Sequence, residues 1–267
     1  MSAEFPNITN FRDLSYLTNK NGLHIKQNLI LRSSKLNEIT PNEARKLKDV
    51  YKLSYIIDLR NPVEARQKPD LYVTFARYDN IPLLAKKVNG ITHENEDKKQ
   101  VEEKKKSSRP QLDKLYKDMA IEEYSITQLK TVIKRIMANR DGSSLYHCSE
   151  GKDRTGIVTL ILLTILDFDI DTIFEDYLLT NRFVKSKAKK MAFQALLKEK
   201  SVKSMKKVYA IYTVDRSYLQ GYIDGIIDQY GTIDDFIHLG LEISNDEIEE
   251  FKKFALVDKS FPQAIIE

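Results

Sequence analysis

The longest apolar run in the chain, Gly156 to Leu166, is broken only by Thr159 and Thr164 and follows a short polar loop. Leu145 to Cys148 predicts a short central strand, and Arg154 to Leu166 a helix apolar on nearly every face. Between them lie the polar residues Ser149 to Asp153. Other elements are placed around this unit. Asn28 to Arg32 predicts a short strand. Thr40, Pro41 and Glu43 predict a capped helix over about 41–49. Leu53 to Leu59 predicts a buried strand, followed by a helix start at Asn61-Pro62 with Glu64. Residues 71–84 are a further strand candidate. Leu112 to Met137 has apolar positions three and four apart and predicts helix in one or two pieces. Asp171 to Asn181 predicts helix, and Val184, Ala188, Met191, Ala192, Ala195 and Leu196 share one helical face beyond it. Val214 to Tyr230, Ile233 to Leu239 and Ser244 to Ala255 make a helical C-terminal part, with Gly231 as a stop. Strands separated by helices predict an α/β fold.

Composition narrows this to a soluble globular protein. The 267 residues are 42% apolar and 31% charged, show no internal repeat, and fit one domain over 1–267. The single cysteine excludes an intramolecular disulfide and fits a reducing compartment. The N-terminus has neither a basic start nor an apolar core, so no leader is expected, and no apolar run reaches the ~20 residues of a membrane span. A cytoplasmic location is the simplest expectation, although an exported protein without its leader would look the same. The net charge of +4 is unevenly distributed. Arg182 to Lys207 holds nine lysines and one arginine against Glu199, a net of +9, which leaves −5 for the rest. This segment, within 181–212, reads as either a solvated helix or a basic lid that draws anionic substrates or an anionic membrane surface. The mixed-charge stretch 85–110 reads as a solvated insert or a flap.

The chemistry concentrates in and around that polar loop. Five residues separate Cys148 from Arg154. A thiol must be lowered from its ordinary pKa of about 8.5 to be a good nucleophile. A loop that closes onto a helix start offers unpaired N–H groups and partial positive charge, which can also ring a phosphate. Arg154 adds a planar fork for two phosphate oxygens. Attack by Cys148 on phosphorus, with the backbone of Ser149, Glu150, Gly151, Lys152, Thr155 and Gly156 around the oxygens, is covalent catalysis with electrostatic stabilisation. Gly151 and Gly156 relieve crowding in so tight a loop. A nucleotide-binding P-loop does not fit, because Asp153 follows Lys152 and Tyr146 stands where a glycine is required.

The sequence H-C-S-E-G-K-D-R-T-G at 147–156 resembles the cysteine-dependent protein tyrosine phosphatase superfamily. Its Lys152-Asp153 pair is similar to the bacterial and fungal tyrosine/serine phosphatases. N-F-R-D-L at 10–14, L-R-S-S at 31–34, D-L-R-x-x-x-E from Asp58 to Glu64 and D-Y-L-L-T-N from Asp176 to Asn181 extend the resemblance. It implies a three-layer fold with a mostly parallel sheet flanked by helices. It also implies a phosphocysteine intermediate and substrates among phosphotyrosine proteins, phosphoserine or phosphothreonine proteins and phosphoinositides, with dual specificity open.

The leaving oxygen needs a proton. Asp153, Asp58 and Asp79 are the candidates, and the resemblance favours Asp153 and Asp58 without dividing their roles. Thr155 suits the departing thiolate, Lys152 suits a second phosphate, and His147 suits loop orientation. Arg12 and Asp13 either buttress the loop or form a surface ion pair. Asp58 otherwise caps its own turn. His24, His93 and His238 lack metal-ligand spacing, so no metal and no cofactor are expected. No nucleic acid is expected as partner, and a monomer is. The competing function is a non-catalytic phosphate or phosphoinositide binder, which would not need an intact nucleophile.

Overall fold

The structure, a computed structural model, describes residues 5–84 and 112–258. The expected insert or flap at 85–110 lies outside the described residues.

Five strands form the central sheet. β1 (Arg12–Asp13) runs antiparallel to β3 (Ile30–Ser33), and the order continues through β6 (Ser143–His147) and β4 (Leu53–Asp58) to β5 (Arg77–Asn80). From β3 to β5 every pairing is parallel. A separate pair joins β2 (His24–Ile25) to β7 (Leu256–Val257). This is the mostly parallel α/β sheet the sequence predicted.

Strand alternation divides the core between the two faces of the sheet. Leu31, Leu53, Ile56 and Leu145 point into a smaller cluster under Phe5, Phe11 and Leu47, the last from α1 (Pro41–Asp49). Tyr55, Ile57 and Tyr146 point the other way, into the larger core. That side is built from α3 (Leu112–Ile121), α4 (Glu123–Ala138), α5 (Asp153–Ile165), α6 (Ile170–Glu199), α8 (Arg216–Tyr230) and α9 (Asn245–Ala255). α7 (Val202–Tyr212) packs back along α6 to make a hairpin. No helix among the described residues is long and apolar enough to cross a membrane.

Local chemistry fixes the elements that matter most. Thr40 and Glu43 form a reciprocal capping box at α1, with Pro41 in its first turn. Asn61, Pro62 and Glu64 do the same for α2 (Pro62–Gln67). α5 buries twelve of its residues, which matches its apolar sequence on all faces. The strand expected over 71–84 is confined to Arg77–Asn80, because this edge strand pairs only with Tyr55 to Asp58. Residues beyond 181 do not start a new helix but extend α6 to Glu199.

Register brings the carboxyl ends of the strands together. His147 lies opposite Ser33 on one side and Asp58 on the other, and Asp58 lies opposite Asn80. Cys148 is the next residue after β6, so the loop opens at the crevice where open α/β sheets bind ligands.

Candidate active site

The loop from Cys148 to Lys152 turns directly into α5, whose first residue is Asp153. No side chain caps that N-terminus, so its N–H groups remain available to an anion. Gly151 is in the left-handed region at φ +65°, and a Cβ there would lie 2.5 Å from the Ser33 carbonyl oxygen. Only glycine fits this turn. At Gly156 the constraint is different: a Cβ would meet the Tyr177 ring at 2.8 Å.

Cys148 is buried, and burial alone would push its thiol up. The Arg154 guanidinium, the Thr155 hydroxyl and the Thr155 N–H outweigh that, while the Asp153 carboxylate opposes them. The net effect lowers the thiol below its ordinary value, the state a nucleophile needs.

Arg154 is also buried, and Glu64 aims it. Its Nη1 lies 2.7 Å from Glu64 Oε2 and its Nη2 2.9 Å from Oε1. Glu64 Oε1 also accepts from Ser149 Oγ at 3.0 Å, and Oε2 accepts from the Asn61 N–H at 3.0 Å. One carboxylate therefore closes the α2 capping box and orients the arginine. Burial raises the Glu64 carboxyl, but Arg154 more than offsets this and holds it below the usual range. The Ser149 hydroxyl is accordingly turned toward Glu64. Sequence reading marked Glu64 only as a helix-start acid and the end of a family pattern.

The acid candidates separate. Asp153 adjoins the thiol electrostatically and is held by Lys152 Nζ, 2.6 Å from Oδ2, and by the Tyr116 hydroxyl. Tyr116 in turn contacts the Tyr177 hydroxyl at 3.0 Å. Lys152 is thus buried against Asp153. Asp58 is enclosed by the framework. Arg60 donates to both its oxygens at 2.8–3.1 Å, and Tyr78 donates to Oδ2 at 2.7 Å. Asp79 accepts from Arg77 at 2.6 Å and from Tyr55.

His147 sits fully buried directly before Cys148 in the chain. Its Nε2 lies 3.1 Å from Asp70 Oδ2 and its Nδ1 3.9 Å from Asp58 Oδ1. Burial disfavours the imidazolium, yet Asp70 and then Asp58 outweigh it, so His147 holds its proton above the ordinary value. Asp58, Asp70 and His147 bring three ligand-type atoms within 4.8 Å. Arg60, which bridges both carboxylates at 2.8 Å, supplies the cation that such a cluster requires.

A second framework supports the outer side of the loop. Arg32 donates to the Gly151 carbonyl at 3.0 Å, to Thr159 at 2.9 Å and to Asp176 at 2.6 Å. Asn10 donates to the same carbonyl at 2.5 Å and accepts from Arg12 at 2.6 Å. Arg12 also pairs with Asp176 at 3.0 Å. Arg12 is therefore buried and bonded to Asn10 and Asp176, rather than half of a surface ion pair. The Asp13 carboxylate accepts from the Ser15 and Asn28 N–H groups and caps the turn after β1. Asn10, Arg32, Asp70 and Asp176 were not singled out as site residues, although Asn10, Arg32 and Asp176 lie inside family-like segments. Asp70 carried no local signal. Glu150 points outward, 2.6 Å from Lys187 Nζ on α6 and 3.9 Å from Lys35 Nζ.

The tyrosine phosphatase family profile matches residues 3–257. The chain belongs to the tyrosine phosphatase family. The chain is also 30% identical over 133 residues to a tyrosine-protein phosphatase of Nostoc commune. That match spans half of this chain and 42% of the Nostoc protein. The family assignment covers both frameworks as well as the loop, since β1, α2 and α6 all fall inside the matched residues.

Proposed function

We propose that this phosphatase-family chain hydrolyses phosphomonoesters through a phosphocysteine intermediate. The observation that carries the proposal is the lowered, buried Cys148 thiol beside an Arg154 fork fixed by Glu64. Cys148 Sγ attacks phosphorus while Arg154 and the loop N–H groups hold the equatorial oxygens. The P–O bond to the leaving group breaks, and Asp153 donates a proton to the departing oxygen. Water then attacks the phosphocysteine, Asp153 accepts its proton, and the P–S bond breaks to release phosphate and the thiolate. The Thr155 hydroxyl stabilises that thiolate. Asp58 acts as a positioning residue that holds Arg60, Asp70 and His147 behind the loop.

The substrates are phosphotyrosine proteins, with phosphoserine and phosphothreonine proteins or phosphoinositides as further classes. The α6–α7 hairpin is a basic lid, a reading supported by the Lys187–Glu150 contact. Its charge suits anionic substrates or an anionic surface. Lys152 serves a second phosphate if Asp153 releases it.

The test is turnover of a generic aryl phosphate in the presence of a chelator, with Cys148→Ser as control. Wild-type turnover lost in the variant is the expected result, and an inert wild type overturns the proposal. Asp153→Asn should slow esters with poor leaving groups more than those with good ones. Equal losses on both would remove Asp153 from the proton-donor role. Parallel assays on phosphotyrosine peptides, phosphoserine peptides and phosphoinositides then rank the substrate classes.

A further inference from the structure

The far end of the α6–α7 hairpin has a character that phosphoester hydrolysis does not explain. α6 loses its buried face after Ala192, α7 has no buried side chain, and no residue from Phe193 to Tyr212 is buried. The two helices pack on each other there rather than on the body of the protein. The chain reverses at Lys200, in the left-handed region at φ +48°. Around that reversal, Phe193, Leu197 and Val202 are 57%, 62% and 56% exposed. Phe193 and Leu197 lie one turn apart on one face of α6, and Val202 opens α7 just past the turn. Exposed lysines 189, 190, 198, 200, 203 and 206 surround them. Glu199 is the one acidic residue in the segment.

Scattered single apolar residues on a surface require no explanation, but three together on a projecting, strongly basic tip do. Charge and apolar exposure together select the occupant: a lipid interface offers anionic headgroups to the lysines and an apolar boundary to the three side chains. Large apolar side chains enter the boundary between headgroups and acyl chains, while flanking lysines reach the phosphates on long apolar stems. We infer that this hairpin tip docks on an anionic lipid bilayer, inserting Phe193, Leu197 and Val202 and placing its lysines on the headgroups. This gives the basic segment a specific partner and depth. It does not depend on the catalytic reading, since docking needs no turnover.

The full chain is tested by co-sedimentation with phosphatidylcholine vesicles, with and without phosphatidylserine. Binding is expected only to the anionic vesicles and should weaken as salt is raised. The triple variant F193S/L197S/V202S should bind at least about tenfold more weakly. Its thermal melt should match wild type, which shows that the fold survives. The sequence holds no tryptophan, so Phe193→Trp supplies a clean reporter. Its emission should shift to the blue with anionic vesicles. Undiminished binding by the triple variant, an unshifted emission from the Phe193→Trp reporter, or equal binding to neutral vesicles each overturns the inference. So does concentration-dependent dimerisation that the triple variant abolishes, because the patch would then be a contact between copies.

Discussion

Removing the Glu64 carboxylate should damage stability and turnover by separable routes. In Glu64→Ala, the Arg154 guanidinium stays buried but loses the two bonds that aim it, at 2.7 and 2.9 Å, and shifts from its place. Removing one partner of a buried ion pair leaves an uncompensated charge and costs about 3–5 kcal/mol. For a chain of this length that corresponds to a fall of roughly 6–20 °C in melting temperature. The alanine also opens the α2 capping box, which adds about 1 kcal/mol. Glu64→Gln separates the two effects. Glutamine can still serve at the third position of a capping box, but it presents no charge to Arg154. The Gln variant should therefore melt between wild type and the Ala variant. Both variants should lose about a hundredfold in kcat/KM on an aryl phosphate, because a displaced fork no longer meets the transferring phosphoryl group. The sign with pH follows from Glu64 being held below its ordinary range. Its contribution is present above the unfolded carboxyl value and is lost as pH falls through the folded one, so wild type and Glu64→Gln should converge in stability on acidification. Thermal melts across acidic pH and steady-state kinetics measure all of this. A Gln variant with wild-type kcat/KM would refute the claim that Glu64 aims the arginine.

Two further outcomes are expected. The proton on His147, held by Asp70 and Asp58 against burial, stabilises the fold fully below about 6.5 and ceases to do so as pH rises through the raised folded value. Urea unfolding of wild type and His147→Asn should accordingly show a gap that narrows with rising pH, and a widening gap would contradict the assignment. Gly151→Ala places a Cβ 2.5 Å from the Ser33 carbonyl at a left-handed position and should cost at least about 1–3 kcal/mol, together with most of the turnover. An unchanged melting curve would mean that the loop can relax around the methyl group.

What the sequence made legible was local. The α1 capping box, the strand-loop-helix unit around Cys148 and the apolar α5 are all specified by neighbours a few residues apart, and each was found where expected. The amphipathic face beyond residue 181 was also visible, although its continuity with the preceding helix was not. The framework was harder to see because its contacts span the chain. Arg12 meets Asp176 across 164 residues, and Arg32 meets the Gly151 carbonyl across 119. Only the family resemblance of residues 10–14, and no local periodicity or cap, set Arg12 apart from a solvated arginine. Asp70 lacked even that, and its partners His147 and Arg60 become neighbours only when β4 and β6 align. Asp58 was placed correctly at its strand end. Its sequence neighbour Arg60, two positions on, takes up the carboxylate, a local pairing that sequence reading overlooked.

The proposed nucleophile is the sole sulfhydryl in these 267 residues. Phosphoryl transfer needs it as thiolate, and the thiolate is also the form that peroxide attacks. A sulfenic acid formed at Cys148 has no resolving cysteine in this sequence with which to form a protective disulfide. Unless it condenses with a backbone nitrogen to a sulfenamide, it is either reduced by an external thiol small enough to reach a buried sulfur or proceeds to the irreversible sulfinic and sulfonic states. The burial that encloses Cys148 beside Arg154 therefore also limits its repair, and recovery after oxidative stress depends on how freely a reductant can enter the site.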